Sequence, residues 1–190
     1  MKRRAANDAP RLLVLALLLS MLTPAAARDY FRVQQVETRL ADGIFLMSAL
    51  VDYRFSPEAL EALENGVPLT ILMHIQLRRR GAWVWENSLV DLQLRYAIRY
   101  KPLSERYEVF RLPGAGGRSF VSQDAAIRAL GEISNIELVS AERLDPDAEF
   151  EIHFQTSLDI EELPLPLRPI AYLKPSWKLS SGWSKWPLTP

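Results

Sequence analysis

Side chains of alternating polarity recur along this chain, and this rhythm limits the possible fold more than any other feature of the sequence. From residue 45 to residue 55 every odd position is apolar or tyrosine, whereas the even side ends in Asp52 and Arg54. Similar alternation returns over residues 69–77, 92–100 and 150–158. A period of two places one set of side chains on a buried sheet face and the other towards water. The sequence therefore predicts strands over most of its length.

Turn signals predict how neighbouring strands connect. Asp42 and Gly43 tolerate the positive φ of a hairpin turn, so residues 30–40 are expected to pair antiparallel with the strand that follows. The Asp145-Pro146-Asp147 turn is expected to join residues 136–144 to residues 150–158 as the plainest hairpin in the chain.

Two short helices interrupt the strands. Ser56 before Pro57 is a capping signal for a helix that ends near Gly66. Ser122 caps a second helix, whose apolar side includes Ala126 and Leu130. The predicted fold class is all-β and mainly antiparallel, a two-layer immunoglobulin-like β-sandwich with two short helices. The alternative is a curved, half-open barrel.

The first 27 residues have the features of a cleavable signal peptide. Basic residues precede an apolar run over residues 12–22, and an Ala25-Ala26-Ala27 site follows. The run is short of the roughly 20 apolar residues of a membrane-spanning helix. We therefore expect cleavage after Ala27, a periplasmic location, and a single domain over residues 28–190. An uncleaved membrane anchor is the alternative.

The net charge and the absence of cysteine exclude some classes of partner and of stabilising bond. Removal of residues 1–27 leaves 163 residues with 19 basic and 22 acidic side chains. A net charge of −3 argues against nucleic acid as a partner, and it gives no reason to expect association with a membrane surface. The chain has no cysteine, so packing alone must stabilise it outside the cytoplasm.

No group of residues points to catalysis or to a cofactor. His74 and His153 occupy polar-face positions, and two histidines without cysteine do not make a zinc site. The loop over residues 113–119 lacks the Gly-Lys-Ser/Thr ending of a phosphate loop. Asp159 and Glu161 form an acidic turn. We predict no metal, no cofactor and no catalytic residue; a hydrolase built on Asp159, Glu161 or a histidine ranks last.

The C-terminal segment, residues 159–190, is rich in proline and tryptophan. Its prolines favour edge strand or coil, although residues 170–173 and 177–179 could still pair with the sheet. Trp177, Trp183 and Trp186 lie within ten residues of one another. Exposed tryptophan is costly unless it packs or binds. Two interpretations stay open: the rings cover the open end of the sandwich, or they form a binding groove for a partner or a glycan.

The same segment carries a family resemblance. The Leu-Asp-Ile element at residues 158–160, the Leu-Pro-Leu-Pro-Leu element at 163–167 and Trp-x-Leu-Ser-Ser-Gly-Trp at 177–183 resemble the C-terminal signature of a proteobacterial exported domain-of-unknown-function family, number 4390. The resemblance implies an exported protein without assigned catalytic residues. Members of this family are often encoded near a membrane sensor kinase, which implies an accessory role in envelope-side signalling.

These observations favour a non-enzymatic periplasmic interaction module. Its partner would be an envelope protein, with the sensor kinase as a candidate, and its contact residues would be Trp177, Trp183 and Trp186. The alternative is a binder of a small apolar ligand, a lipid or a metabolite, held between the two sheets.

Overall fold

A computed structural model describes residues 30–83, 86–114 and 116–190 of the chain. The predicted signal peptide over residues 1–27 and its cleavage point lie outside these residues. Trp85 also lies outside them.

Nine strands, three α-helices and three short 3₁₀ turns make up the described residues. In chain order the strands are β1 (Phe31–Ala41), β2 (Ile44–Tyr53), β3 (Leu69–Arg79), β4 (Val90–Lys101), β5 (Arg106–Leu112), β6 (Gly117–Phe120), β7 (Glu132–Ser140), β8 (Phe150–Leu158) and β9 (Ser184–Pro187). The helices are α1 (Pro57–Glu64), α2 (Gln123–Gly131) and α3 (Arg168–Leu173), and the 3₁₀ turns are Ala141–Arg143, Ile160–Glu162 and Pro175–Trp177. None of the helices in the described ranges is long and apolar enough to cross a membrane.

The strands form two antiparallel sheets that enclose one core. The small sheet has the order β1-β2-β7, and the large sheet has the order β6-β5-β4-β3-β8-β9. The predicted mainly antiparallel β-sandwich is therefore confirmed. Six and three strands are not the four-and-three division of an immunoglobulin constant domain, so this strand order does not confirm the immunoglobulin-like detail.

The alternating pattern predicted which side chains form the core. Every odd position of β3 from Leu69 to Leu77 is fully buried, and so are Ile152, Phe154 and Thr156 of β8. The odd positions of β2 face them from the small sheet, with Met47 fully buried. Full burial of one such aliphatic side chain contributes about 1.5–3 kcal/mol. These facing rows hold the two sheets together.

Local turn and cap signals also correspond to the structure. Asp42 and Gly43 adopt positive φ between β1 and β2, which pair antiparallel as predicted. Ser56 caps α1 by accepting a hydrogen bond from the backbone N–H of Ala59, and Ser122 caps α2 in the same way. α2 runs directly into β7 at Gly131. This position must be glycine, because a Cβ there would overlap the carbonyl oxygen of Val51.

The predicted hairpin around Asp145-Pro146-Asp147 is wrong. β7 pairs with β2 in the small sheet, whereas β8 pairs with β3 and β9 in the large sheet. The connection over residues 141–149 therefore crosses from one sheet to the other. A turn sequence fixes only the local reversal of the chain, and it does not specify which sheet the following strand joins.

The C-terminal segment departs in part from the expected edge strand and coil. Residues 168–173 form helix α3, with Pro169 in the first turn, where a backbone N–H is not needed. Residues 170–173 therefore do not join the sheet. Near residue 179 the segment pairs with β8 through two backbone hydrogen bonds, Leu158 N to Leu179 O and Ser181 N to Thr156 O, around an isolated bridge between Ser157 and Ser180. The segment returns to the sheet as β9, a short edge strand.

Candidate functional site

A cleft of about 880 Å³ lies at one end of the sandwich. It lies where residues 141–149 cross from the small sheet to the large one. Three backbone hydrogen bonds shape this end: Ala141 N to Gly43 O at 2.8 Å, Arg80 N to Glu149 O at 2.8 Å, and Leu188 N to Phe150 O at 3.0 Å. The cleft is thus bounded by the β1–β2 turn, the crossing connection and the end of β9.

Apolar side chains form most of the cleft wall. Trp186 stands opposite Ile152 in the β8–β9 register, so its ring lies on the inner face of the large sheet. Its Nε1 donates to Ser184 Oγ at 3.0 Å, which satisfies the one polar atom of the indole. The ring is half-buried and is left to contact apolar groups. The other apolar side chains of the wall are Phe45, Ala141, Leu144, Pro146, Ala148, Phe150, Pro187, Leu188 and Pro190.

The carboxylates at the mouth of the cleft are all paired with cations. Asp145 Oδ2 accepts a hydrogen bond from Arg79 Nη2 at 3.0 Å, and Glu149 Oε2 accepts one from Arg80 Nη1 at 2.6 Å. Glu151 accepts from His153 at 2.6 Å and lies 3.4 Å from the Lys185 ammonium. Each negative charge at the mouth of the cleft is therefore balanced by a basic side chain of the same chain.

The pKa of the Glu151 carboxyl reflects this pairing. Partial burial raises the pKa, but the hydrogen bond from His153 and the nearby charges of Lys185 and His153 outweigh the burial. The net pKa lies below the ordinary value of a glutamate. Glu151 is thus held as a carboxylate and is not poised as a general acid.

The residues after β9 tie the two sheets together beside the cleft. Thr38 of β1 donates from its hydroxyl to the carbonyl oxygen of Thr189 at 2.6 Å. The backbone N–H of Thr189 donates back to Thr38 Oγ1 at 3.0 Å. β9 belongs to the large sheet and β1 to the small one, so these reciprocal bonds fix the spacing of the sheets at this edge.

The three tryptophans predicted as contact residues lie in three different environments. Trp177 is 5% exposed and belongs to the core, in the 3₁₀ turn beside α1. Trp183 is 48% exposed on the outer face of the large sheet, with its ring centroid 5.0 Å from that of His74. Trp186 lines the cleft. They do not form a single platform, because residues 177–183 turn around the edge of β8 and β9 then alternates its side chains.

The remaining candidate residues are held by structural contacts. His74 Nε2 lies 2.7 Å from Asp91 Oδ1 on the polar outer face of the large sheet. Asp159 is 8% exposed and accepts from Arg95 Nε at 2.9 Å. Glu161 accepts from the Tyr172 hydroxyl at 2.6 Å. In the described ranges, no three His, Asp or Glu side chains come together as a metal site.

Sequence reasoning did not find the cleft. Phe45 and Phe150 were identified as inner-face positions, whereas Leu144 and Ala148 fell in or beside a predicted turn. Nothing in the local sequence shows that these four residues meet, because they meet only when β7 and β8 belong to different sheets. The tryptophan-rich signature around Trp186 was the one signal that pointed to this edge.

The family of the chain follows from a family model that matches residues 28–187, and that model is described as Domain of unknown function (DUF4390). The chain belongs to this family. The match spans all nine strands of the described residues and the three tryptophans of the C-terminal segment, so the resemblance seen in residues 158–183 extends over residues 28–187. Neither the curated proteins nor the solved structures include a significant match to the chain.

Proposed function

We propose that this DUF4390 domain is a non-enzymatic interaction module in the periplasm, and that the cleft holds an apolar segment of a partner protein. The observation that carries the proposal is the cleft itself, an apolar cavity with the ring of Trp186 in its wall and a self-neutralised mouth. Aromatic side chains in water-excluding pockets provide much of the binding energy of protein interfaces.

The edge of the large sheet favours an extended guest. β9 ends the strand order of this sheet, and no strand lies beyond it among the described residues. An extended segment can add to such an edge through its main chain while it places side chains in an adjacent pocket. Trp186 lies in β9, so one segment can use both the edge and the cleft.

Compartment and partner are further parts of the proposal. The signal-peptide features of residues 1–27 support export to the periplasm. The family resemblance supports an envelope protein, with a membrane sensor kinase as the candidate. No nucleic acid is proposed, because the charge after residue 27 is negative.

Site-specific crosslinking in intact cells tests the proposal. A photo-crosslinking residue replaces Leu144 in the cleft wall, and in a second strain it replaces Leu103, which is fully exposed in the β4–β5 turn. We expect an envelope protein to be captured from position 144 and not from position 103. The Trp186→Ala change should weaken capture by about tenfold, the effect of losing an aromatic anchor of about 1.4 kcal/mol.

Trp183→Ala is the matched control, because it removes an indole three residues away that faces the outer surface. It should leave capture from position 144 unchanged. Equal capture from positions 144 and 103, or recovery of the chain in the cytosol on fractionation, would contradict the proposal. Thermal unfolding of each variant shows whether a loss of capture reflects loss of the fold.

A second candidate function is binding of a small apolar ligand in the same cleft. The volume of about 880 Å³ lies within the range of small-molecule pockets, which favours this candidate. Native mass spectrometry of the protein purified from the envelope should then show a retained lipid or metabolite that is lost in the Trp186→Ala variant. Protein without bound mass, together with capture of a protein from position 144, would leave the partner segment as the guest.

A further inference from the structure

The outer face of the large sheet carries a patch of polar side chains beside an exposed tryptophan. We call this patch the polar face and define it by Trp183 together with His74, Gln76, Asp91, Gln93, His153 and Gln155. It shares no residue with the cleft, although Glu151 and Lys185 at the cleft mouth border it.

Strand register brings the polar side chains together. His74 stands opposite both Gln93 of β4 and Gln155 of β8. Gln76 stands opposite both Asp91 and His153 in the next row. Residues directly opposite each other in adjacent strands project from the same face with Cβ atoms about 5 Å apart. The two rows therefore form one continuous array across three strands.

Hydrogen bonds within the array hold its side chains in place. Asp91 accepts from Gln76 Nε2 at 2.9 Å and lies 2.7 Å from His74 Nε2. Glu151 lies next to the array, and its Oε1 is hydrogen-bonded to His153 Nε2 at 2.6 Å. A carboxylate or amide keeps further donor or acceptor capacity after one such bond. Side chains that are already fixed lose little conformational entropy when a ligand binds.

Trp183 adds an apolar surface to this hydrogen-bonding array. One side of its ring contacts His74, with the ring planes tilted by 59°, and the residue is 48% exposed. The open part of the indole offers a flat apolar surface on which a ligand can pack. The ligand that fits must therefore carry both an apolar face and many hydroxyl or amide groups.

We propose that the polar face binds a saccharide chain. A pyranose ring has C–H groups that can stack on the indole of Trp183, while its hydroxyls can donate to Asp91 and exchange hydrogen bonds with Gln93 and Gln155. A nucleic acid fits poorly, because Asp91 lies within the array and the cations at its margin already have partners. Lys185 lies close to Glu151, Arg95 donates to Asp159, and Arg78 donates to the backbone oxygens of Trp83 and Glu86.

Calorimetric titration of the purified chain tests the assignment with two probes, a β-1,4-linked glucose hexamer and a β-1,4-linked N-acetylglucosamine hexamer. We expect at least one to bind with a millimolar or lower Kd; which one binds shows whether the ligand is a neutral glucan or an amino-sugar chain. Trp183→Ala should weaken this binding by about tenfold, and Trp183→Tyr should restore most of it.

Trp186→Ala is the matched control and should bind the saccharide as the unmodified chain does. Gln93→Ala removes an exposed side chain and should weaken binding even if Trp183→Ala proves unstable. No heat with either hexamer at millimolar concentration, or unchanged affinity in both Trp183→Ala and Gln93→Ala, would overturn the proposal. Loss of binding in Trp186→Ala alone would place the saccharide in the cleft and would equally overturn it.

Discussion

Tyr53 and Thr156 form a hydrogen bond in the centre of the sandwich. The Tyr53 hydroxyl of β2 lies 3.0 Å from Thr156 Oγ1 of β8, and both residues are buried. Burial raises the pKa of the Tyr53 hydroxyl far above its ordinary value, although the bond to Thr156 acts in the opposite direction. The bond therefore joins two neutral hydroxyls across the two sheets.

We expect Tyr53→Phe to lower the free energy of unfolding by about 1–2 kcal/mol, because it leaves the Thr156 hydroxyl buried without this partner. Thr156→Val should cost a similar amount. The double variant should cost less than the sum of the two, since it removes both polar groups at once. Urea unfolding of all three variants measures these values, and strictly additive losses would show that the bond contributes nothing.

Trp183 and Trp186 show that residue type alone does not determine which surface a side chain belongs to. Both are aromatic, and they are three positions apart in a segment that resembles a family signature. Their environments nevertheless differ, because one precedes β9 on the outer face and the other lies within β9 on the inner face. Sequence analysis identified the two residues, and the edge of the sheet places their side chains on opposite faces.

At the scale of elements, Asp159 connects the C-terminal segment to the large sheet. Its Oδ1 accepts from the N–H of Glu161 at 3.2 Å, which caps the 3₁₀ turn, and its Oδ2 accepts from Arg95 of β4 at 2.9 Å. Its own N–H donates to Thr70 O of β3 at 2.8 Å. The Leu-Asp-Ile element of the family signature thus has a structural role at the end of β8.

Asp159→Ala should lower the free energy of unfolding by about 2 kcal/mol, because it removes a cap and a charge-assisted hydrogen bond from a buried site. Hydrogen exchange should accelerate over residues 160–180 more than in β3. The control is Glu149→Ala, which breaks an ion pair of similar length between two exposed side chains and should cost less than about 1 kcal/mol. Equal losses in the two variants would contradict the special role of Asp159.

At the scale of the whole molecule, acid stability depends on carboxylates that the fold keeps ionised. Hydrogen bonds from Lys101 and then Arg99 lower the pKa of Glu108 below its ordinary value of 4.5. The pKa of Glu151 is also lowered, despite its burial. Each carboxyl group binds its proton less readily in the folded chain than in the unfolded chain. Its contribution to the free energy of unfolding is therefore fully present at pH values above the pKa that it has in the unfolded chain.

The free energy of unfolding should therefore fall as the pH drops below about 4.5 and passes through the lowered pKa values of Glu108 and Glu151. Unfolding in urea at a series of pH values between neutral and acid measures the effect. Glu108→Gln should make the free energy of unfolding depend less on pH in the acid range. The same change at Glu137, an exposed residue of β7, should leave the pH dependence unchanged. An unchanged acid limb in Glu108→Gln would refute this account.

The sequence by itself determined the period-two core, the Asp42-Gly43 hairpin, the caps of α1 and α2 and the membership of the chain in its family. These features depend on neighbouring residues, on backbone sterics and on the alternation of side chains in a strand, so a linear reading can recover them. The short helix over residues 168–173 was missed because the prolines around it hid a helical turn that Pro169 itself can begin.

Only the tertiary structure decided which sheets β7 and β8 join, and from that decision the cleft and the polar face both follow. The turn after β7 is compatible with pairing β8 in the same sheet or with crossing to the other one. The crossing is set by the partners that β7 and β8 find in β2 and β3, which are far away in the chain. Pairing between distant strands is a property of the assembled core, which no local pattern encodes.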